Sequence, residues 1–360
     1  MKKAFRLIWI FFLFASFILK AQVHPKTWRN IIFNSNKEWF ASSEAKEIAE
    51  NVLLYQKDFG GWPKNIEMQK QLSPKEIEKL TQEKKDPAEC TIDNGATTQE
   101  MIFLSKIYQK QPDERYKNAF LRGLMYLISA QYKNGGWPQF YPLREGYYSH
   151  ITYNDDAMVN VLNLFKVIKE KGAYYSISVP EEIVQLASTS FDKGIDCILK
   201  TQYRQNGILT AWCAQHDEET LEPAKARAFE LISLSGKESA GVTLLLMSID
   251  KPSKDIINAV DAAVKWFEKT KITGIKLISV PTGNGNETNR VVIESQDAEP
   301  LWARFMNLED NKPFFCDRSG IKKSTLAEIS FERRNGYGWY STDPKEVLNK
   351  YPKWKASFTK

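Results

Sequence analysis

ISAQYKNGGWP, at residues 128–138, contains two elements that recur elsewhere in the 360-residue chain. Its Gly-Gly-Trp-Pro, at residues 135–138, also stands at residues 60–63. Its Gln-Tyr pair, at residues 131–132, returns at residues 202–203 in LKTQYRQNG, shortly before Ala211 and Trp212. A period of about 70 residues holds two helices with their connections, as in helical repeat proteins. The sequence therefore predicts repeated helical hairpins, with the functional residues on the loops at one end.

Apolar residues at helical spacing support this organisation. One such stretch includes Met101, Leu104 and Tyr108, and another includes Val159 and Leu162. Each is followed by a second helical stretch that ends at Asn-Gly, which is a helix-stop signal. These second stretches and a third pair give predicted helices over residues 116–131, 181–202, 237–248 and 256–270.

Strand-like alternation is scarce and is confined to short stretches such as residues 276–280 and 290–294. The sequence therefore predicts an all-α fold, an α/α toroid of repeated helical hairpins. Long rim loops are expected at residues 134–154 and 205–235, and loops of this length are usually functional. An open solenoid would give the same period and is the alternative.

The first residues have the pattern of a secretory signal peptide. Three basic residues at positions 2–6 precede or open an apolar run over residues 7–19, which ends at Lys20-Ala21-Gln22. That run is too short to span a bilayer, because a spanning helix needs about 20 apolar residues. We therefore expect residues 1–21 to be a signal peptide and the mature chain to be secreted, to the periplasm, the cell surface or the medium.

Charge and composition give no indication of a nucleic-acid partner. Removing residues 1–21 takes away four basic residues and no acidic ones, so the formal net charge falls from +6 to +2. No linker-like segment divides the chain, so we expect residues 22–360 to form a single domain. The four cysteines are widely spaced without a CxxC pair, so they do not indicate a zinc site. They are either buried thiols or include one disulfide.

Acidic and amide residues precede two of the predicted helices. Asp93 and Asn94 open one hairpin, and Asp155 and Asp156 open the next. Further helix starts are predicted at Ser235-Gly-Lys-Glu238 and near Ser295-Gln-Asp297. Because alternate helices of such a repeat run in the same direction, these starts would meet at one rim. Helix capping is the simpler explanation for any one of these residues.

Aromatic residues are numerous in the same loops. They include Trp62, Trp137, Phe140, Tyr141, Tyr147, Tyr148, Tyr153, Trp212 and Trp339. Aromatic rings offer stacking faces for sugars. Carboxylates beside them supply the hard oxygen ligands that suit Ca²⁺.

Six blocks of unusual sequence follow one another over nearly the whole mature chain, and they contain TIDNGATT, GGWPQFYPLREGYYSHITYNDDA and CDRSG. The blocks are residues 51–68, 91–98, 135–157, 210–239, 300–305 and 316–320. Together they resemble the pectate lyases of polysaccharide lyase family 10. The resemblance implies a short α/α barrel that cleaves polygalacturonate, the backbone of pectin. One departure is Ser319, which stands where the family's pattern has an acidic residue.

The resemblance also implies a reaction, β-elimination. The C5 proton of a galacturonate is removed and the O4 glycosidic bond breaks, while Ca²⁺ and nearby arginines neutralise the charge that develops on the carboxylate. The implied base is Arg227 of Ala-Arg-Ala-Phe-Glu. Since a guanidinium normally stays protonated, such a base needs alkaline conditions and a neighbouring cation, for which Lys225 is a candidate. Without the resemblance, an ion-pair role for Arg227 would be the simpler interpretation.

Binding residues follow from the same resemblance. The implied calcium ligands are Asp93, Asp155 and Asp156, and the implied substrate-binding residues are Arg304, Arg318, Lys225 and Asn94. A guanidinium pairs bidentately with a carboxylate, which suits a polymer with one carboxylate per sugar. An ion pair of Arg304 with Glu299 or Glu309 is the alternative.

Two other functions are consistent with parts of the pattern. A glycoside hydrolase acting on uronides would need two carboxylates, for which Asp93 and Asp155 are candidates. That function leaves the segment around Arg227 without a role. A secreted, non-catalytic pectin-binding protein would keep only the sugar-binding rim, and an activity assay would separate it from an enzyme.

Overall fold

The computed structural model describes residues 27–358, so the signal peptide predicted over residues 1–21 lies outside the described residues. Eleven α-helices occur within residues 27–358. They are α1 Trp28–Asn34, α2 Ser43–Tyr55, α3 Pro74–Gln82, α4 Thr98–Lys110, α5 Glu114–Ser129, α6 Ala157–Lys171, α7 Glu181–Thr201, α8 Gly236–Met247, α9 Lys254–Thr270, α10 Phe331–Gly336 and α11 Pro344–Ala356. None of the helices in this part of the chain has the length and hydropathy needed to cross a membrane.

The helices pack as consecutive hairpins. Helix α4 packs against α5, α6 against α7, and α8 against α9. The first helices of the hairpins contact one another in the order α4, α6, α8, and the second helices do so in the order α5, α7, α9. The bounds predicted for α5, α7, α8 and α9 are confirmed to within two residues. This arrangement brings the starts of α4 and α6 to the same end of the molecule.

The repeated Gln and Trp residues join each hairpin to the next. The residues concerned are Trp62, Trp137 and Trp212, with Gln56, Gln131 and Gln202. Each indole is fully buried and donates its Nε1–H to a main-chain carbonyl of the preceding helix at 2.7–2.8 Å. Each Gln side-chain amide donates to a main-chain carbonyl of the loop that follows it and to a main-chain carbonyl in the second helix of the next hairpin, at 2.8–3.0 Å. The three Trp side chains, Gln56 and Gln202 are buried, Gln131 is partly buried, and all are paired, so the same local geometry is repeated three times.

The prediction of an all-α toroid is wrong, because residues 27–358 contain twelve strands in six two-stranded antiparallel sheets. The strands are β1 Ile151–Thr152, β2 Ala173–Tyr174, β3 Ile177–Ser178, β4 Arg204–Gln205, β5 Ile208–Leu209, β6 Gln215–His216, β7 Ile275–Pro281, β8 Thr288–Glu294, β9 Trp302–Ala303, β10 Phe315–Cys316, β11 Lys322–Lys323 and β12 Tyr340–Ser341. Most have two residues, which is too short for a visible alternation. They form because backbone groups in the partly buried loops must be hydrogen-bonded.

Two further sequence expectations are decided by the structure. The fourth helix start, predicted near Asp297, is wrong, because Asp297 lies in the segment between β8 and β9. All four cysteines are buried free thiols, so the alternative of a disulfide is not realised.

Candidate active site

Two short turns at the starts of α4 and α6 carry the acidic residues. They are Asp93–Gly95 and Asn154–Asp156, and they contact each other. Asn94, Asp155 and Asp156 have φ angles of 54°, 51° and 60°, a left-handed conformation that Asn and Asp adopt more readily than most residues. Neither helix has a side-chain hydrogen bond at its N-cap residue. Helix capping therefore does not explain these carboxylates.

A lysine pairs with a carboxylate on each turn. Lys64 forms an ion pair with the buried Asp93. Lys237 Nζ donates to Asp155 Oδ1 at 2.9 Å. Burial raises the pKa of Asp155, but Arg304 and Lys237 outweigh that effect, so the pKa lies below its ordinary value. Asp155 is therefore ionised at neutral pH.

Both turns line a cavity of about 380 Å³, which we call the Asp93 cavity. Four of the catalytic, metal-binding and substrate-binding residues that the sequence resemblance implies line it, namely Asp93, Asn94, Asp155 and Arg227. Its wall also includes Asn65, Lys64, Gln139, Gln215, Tyr147, Glu230 and Tyr337. The lining combines carboxylates, cations, amides and aromatic rings, so it can hold a charged sugar.

Arg227 lies on the long loop between β6 and α8, and 55% of its side chain is exposed. Its Nε donates to Glu230 Oε2 at 3.0 Å, and the same oxygen accepts the main-chain N–H of Arg227 at 3.2 Å. The Glu230 side chain is only 14% exposed, so it is a fixed partner. This ion pair holds the guanidinium at the cavity wall by Nε.

Arg304 is buried behind that wall. Its Nη2 donates to Asn154 Oδ1 at 2.6 Å and lies 3.2 Å from Glu238 and 3.5 Å from Asp155. Burial lowers the pKa of Arg304, but Glu238, Tyr337 and Asp155 raise it above its ordinary value. The expected alternative partners, Glu299 and Glu309, are not used. Arg304 therefore fixes the turn at residues 154–156 and neutralises the carboxylates around it.

Arg318 and Lys225 do not line the Asp93 cavity. Arg318 pairs with Glu332 at 2.7 Å, and both side chains are more than half exposed. Its guanidinium lies 4.9 Å from the ring centre of Phe229, which is two residues from Arg227. Lys225 is exposed. Lys225 lies on the same loop as Arg227 and Arg318 lies beside it, but neither side chain lines the Asp93 cavity.

Asp156 faces a second cavity of about 570 Å³, which we call the Glu100 cavity. This cavity shares Asn65, Asn94 and Asp155 with the first one. Burial is the main reason that the pKa of Asp156 rises to about 6. Asp155 and Asp156 thus belong to one turn but have opposite pKa shifts.

Several wall residues were missed by sequence reasoning. Lys64 and Gln139 directly follow the two Gly-Gly-Trp-Pro copies, so their equivalent positions in the repeat could have identified them. Tyr147 was selected only as one of many loop aromatics. Glu230 ends the Ala-Arg-Ala-Phe-Glu segment, so its position three residues after Arg227 could have indicated the ion pair. Tyr337 had no sequence signal, because its place depends on how distant segments fold against each other.

The Asp93 cavity offers oxygen ligands suited to a hard cation such as Ca²⁺. They are the carboxylates of Asp93 and Asp155 and the amide oxygens nearby. Within residues 27–358, Asp93, Asp155 and Asp156 do not form a group whose three ligand atoms lie within 4.8 Å of one another. The donor set fits Ca²⁺ as part of a shell, and water or a bound uronate would have to supply the remaining oxygens.

The sequence profile of the family described as pectic acid lyase matches residues 56–348. The solved structure of a family 10 polysaccharide lyase from Cellvibrio cellulosa is similar, with 32% identity and a TM-score of 0.76 over 91% of this chain and 95% of that chain. A point mutant of the Cellvibrio cellulosa lyase in complex with trigalaturonic acid is 33% identical, with the same TM-score and coverage. No curated protein matches the sequence. The chain therefore belongs to the pectic acid lyases, the pectate lyases of polysaccharide lyase family 10.

Proposed function

We propose that this pectate lyase cleaves (1→4)-α-D-galacturonan by calcium-assisted β-elimination in the Asp93 cavity. The observation that carries the proposal is that one cavity is lined by Arg227, Asp93 and Asp155 together. The similar lyase from Cellvibrio cellulosa has been solved with trigalaturonic acid, which supports a galacturonate chain as the substrate here.

The proton acceptor in this proposal is a terminal nitrogen of Arg227, because its Nε is bound to Glu230. The C5–H electron pair becomes the C4=C5 double bond, and the C4–O4 bond breaks. The glycosidic oxygen leaves with the electron pair of the C4–O4 bond and takes a proton from water. A guanidinium can accept a proton only in its neutral form, so the rate should increase with pH in the alkaline range.

The carboxylates of Asp93 and Asp155 would hold the calcium ion, with Asn94 as a companion. When bound, Ca²⁺ withdraws charge from the substrate carboxylate and so favours loss of the C5 proton. Arg304 and Lys237 keep the pKa of Asp155 low, so this carboxylate is in the ionised form that a cation needs, and Asp93 is held in place by its ion pair with Lys64. Asp156 lines the other cavity, so we propose that it contributes less than Asp155.

The remaining arginines have different roles in this proposal. Arg304 is a positioning residue, since its side chain is 10% exposed and its Nη2 is committed to Asn154 and Glu238. Arg318 is exposed beside the Arg227 loop, and exposed ion pairs are weak. It can therefore exchange Glu332 for a galacturonate carboxylate outside the cavity. Lys225, which is also exposed, would interact with the polymer only at long range.

A hydrolase would need one carboxylic acid that is protonated near the bond to be cleaved. Asp155 is unsuited to that role because its pKa is lowered, and Asp93 is paired with Lys64. The Asp93 cavity therefore favours elimination over acid-catalysed hydrolysis.

The test is incubation with polygalacturonate in buffers containing Ca²⁺ or an excess of chelator. We expect ultraviolet absorbance from 4,5-unsaturated products with Ca²⁺ and none with chelator. Saturated oligogalacturonides would contradict the elimination, and full activity in chelator would contradict the role of calcium. Sequencing of the mature N-terminus after expression in the native host tests the proposed secretion, with cleavage near Gln22 as the expected result.

A further inference from the structure

Three potential metal ligands meet where β1 and β6 end. In the pairing of these two strands, Ile151 lies opposite His216. His150 and Asp217 therefore extend the pairing by one position, on the side away from Asn154. Glu218 follows Asp217 in the chain. One ligand atom from each of His150, Asp217 and Glu218 lies within 4.8 Å of the other two. None of the three lines the Asp93 cavity, so this group is separate from the proposed calcium ligands.

Donors from outside the group orient one oxygen of each carboxylate. Ser149 Oγ donates to Glu218 Oε1 at 2.6 Å, while Glu218 Oε2 lies 2.9 Å from His150 Nδ1. The main-chain N–H of Thr220 donates to Asp217 Oδ1 at 2.8 Å, which leaves Oδ2 available. Hydrogen bonds of this kind fix carboxylate ligands in metal sites. All three side chains are partly exposed, so an ion can reach them.

The ligand chemistry indicates the class of metal. One imidazole with two carboxylates suits Zn²⁺ and similar transition metals, whereas Ca²⁺ takes oxygen ligands. Metal–ligand bonds of about 2.0–2.2 Å in a tetrahedral site place neighbouring ligand atoms about 3.3–3.6 Å apart. The observed 2.9 Å between His150 Nδ1 and Glu218 Oε2 is a direct hydrogen bond, so these two atoms would have to separate by about 0.4–0.7 Å to share an ion.

We propose that His150, Asp217 and Glu218 bind a divalent transition-metal ion of the Zn²⁺ class, with water as the remaining ligand. The ion would take the place of the hydrogen bond between His150 Nδ1 and Glu218 Oε2. It would connect the loop at residues 134–154 to the loop at residues 205–235, which carries Arg227. The site is thus a structural clamp between the two long loops that form the Asp93 cavity.

The experiment measures Zn²⁺ binding to the full mature chain by titration calorimetry, without substrate and without a polyhistidine tag. We expect one Zn²⁺ per chain, and an increase in melting temperature on saturation. His150→Ala and Glu218→Gln should each weaken binding more than the ~10–100-fold that loss of an outer-shell partner causes, and Ser149→Ala should fall within that range. A millimolar excess of Ca²⁺ should not displace the ion.

The matched control is Glu219→Gln, which removes the same charge from an exposed neighbour outside the group. It should bind Zn²⁺ like the unmodified chain. The proposal is overturned if the unmodified chain binds no stoichiometric Zn²⁺, if Ca²⁺ competes equally, or if folded His150→Ala binds as tightly as the control. If the other variants do not fold, the Zn²⁺ affinity of Ser149→Ala tests the proposal, because this variant leaves the three ligands in place. Because no substrate is present, none of these results depends on the lyase mechanism.

Discussion

Replacing Arg304 with alanine removes the cation that neutralises a fully buried carboxylate. Glu238 has no exposed side-chain surface, and its Oε1 lies 3.2 Å from Arg304 Nη2. Its other oxygen accepts a hydrogen bond from Ser235 Oγ. Removing one partner of a buried ion pair costs about 3–5 kcal/mol, because the other charge remains buried. Lys237 lies close enough to compensate in part, so we expect the lower end of that range.

Calorimetric unfolding measures this loss. Unfolding entropies of about 2.1 cal/mol/K per residue imply a change of roughly 1.4 °C per kcal/mol for a domain of this size. Arg304→Ala should therefore lower the melting temperature by about 4 °C or more at neutral pH. The control is Lys345→Ala, which breaks the exposed pair with Glu299 and should cost under ~1 kcal/mol.

The double variant Arg304→Ala, Glu238→Gln separates the charge from the lost packing. It should recover part of the stability, because the remaining buried group is neutral. If Arg304→Ala melts at the temperature of the Lys345→Ala control, the buried ion pair does not stabilise the turn and the reasoning is refuted.

Three further outcomes follow from the same side chains. Arg227→Ala should lose turnover with a smaller change in KM. Lys225→Ala changes a residue outside the cavity, so its turnover should stay near normal. An inactive Lys225→Ala beside an active Arg227→Ala would assign the role of base to the lysine. Asp93→Ala should remain folded by circular dichroism but lose calcium-dependent activity, and unchanged activity would remove Asp93 from the metal site. Burial raises the pKa of Glu100 to about 7, so this acid opposes folding increasingly as pH rises from about 4.5 to 7. Glu100→Gln should therefore be more stable than the unmodified chain at pH 8, by up to about 3 kcal/mol, and similar to it near pH 4. Denaturant unfolding at both pH values measures this difference. Equal stabilities of the two proteins at pH 8 would contradict the prediction.

The helical part of the fold was accessible from sequence because its signals are local. Helical apolar spacing lies within each hairpin, and the Gln and Trp repeats lie in the connections that directly follow, so these signals predicted α5, α7, α8 and α9 closely. The two-residue strands were missed because they are too short to show an alternation, and two of their five pairings are also long-range. The pairing of β1 with β6, for example, joins Ile151 to His216 across the whole of the α6–α7 hairpin, and no local pattern encodes it.

The residues of the candidate site likewise divide into those that local sequence patterns predict and those that they do not. Asp93, Asn94 and Asp155 were found because they precede helices that start at the same end. Their pairing with Lys64, Lys237 and Arg304 was not predicted, because these cations come from distant segments. Lys64 lies 29 residues from Asp93, and Arg304 lies 150 residues from Asn154. Arg318 illustrates the limit, since its motif is clear but its side chain is turned towards Glu332.

The most direct test of the central claim is the mass of the products from a purified oligogalacturonate of known length. Elimination at the Asp93 cavity predicts that each cut gives one fragment lighter by one water than the saturated oligomer, and that Arg227→Ala gives none. Fragments that all carry the mass of saturated oligogalacturonides, or unsaturated fragments formed at the normal rate by Arg227→Ala, would contradict the account.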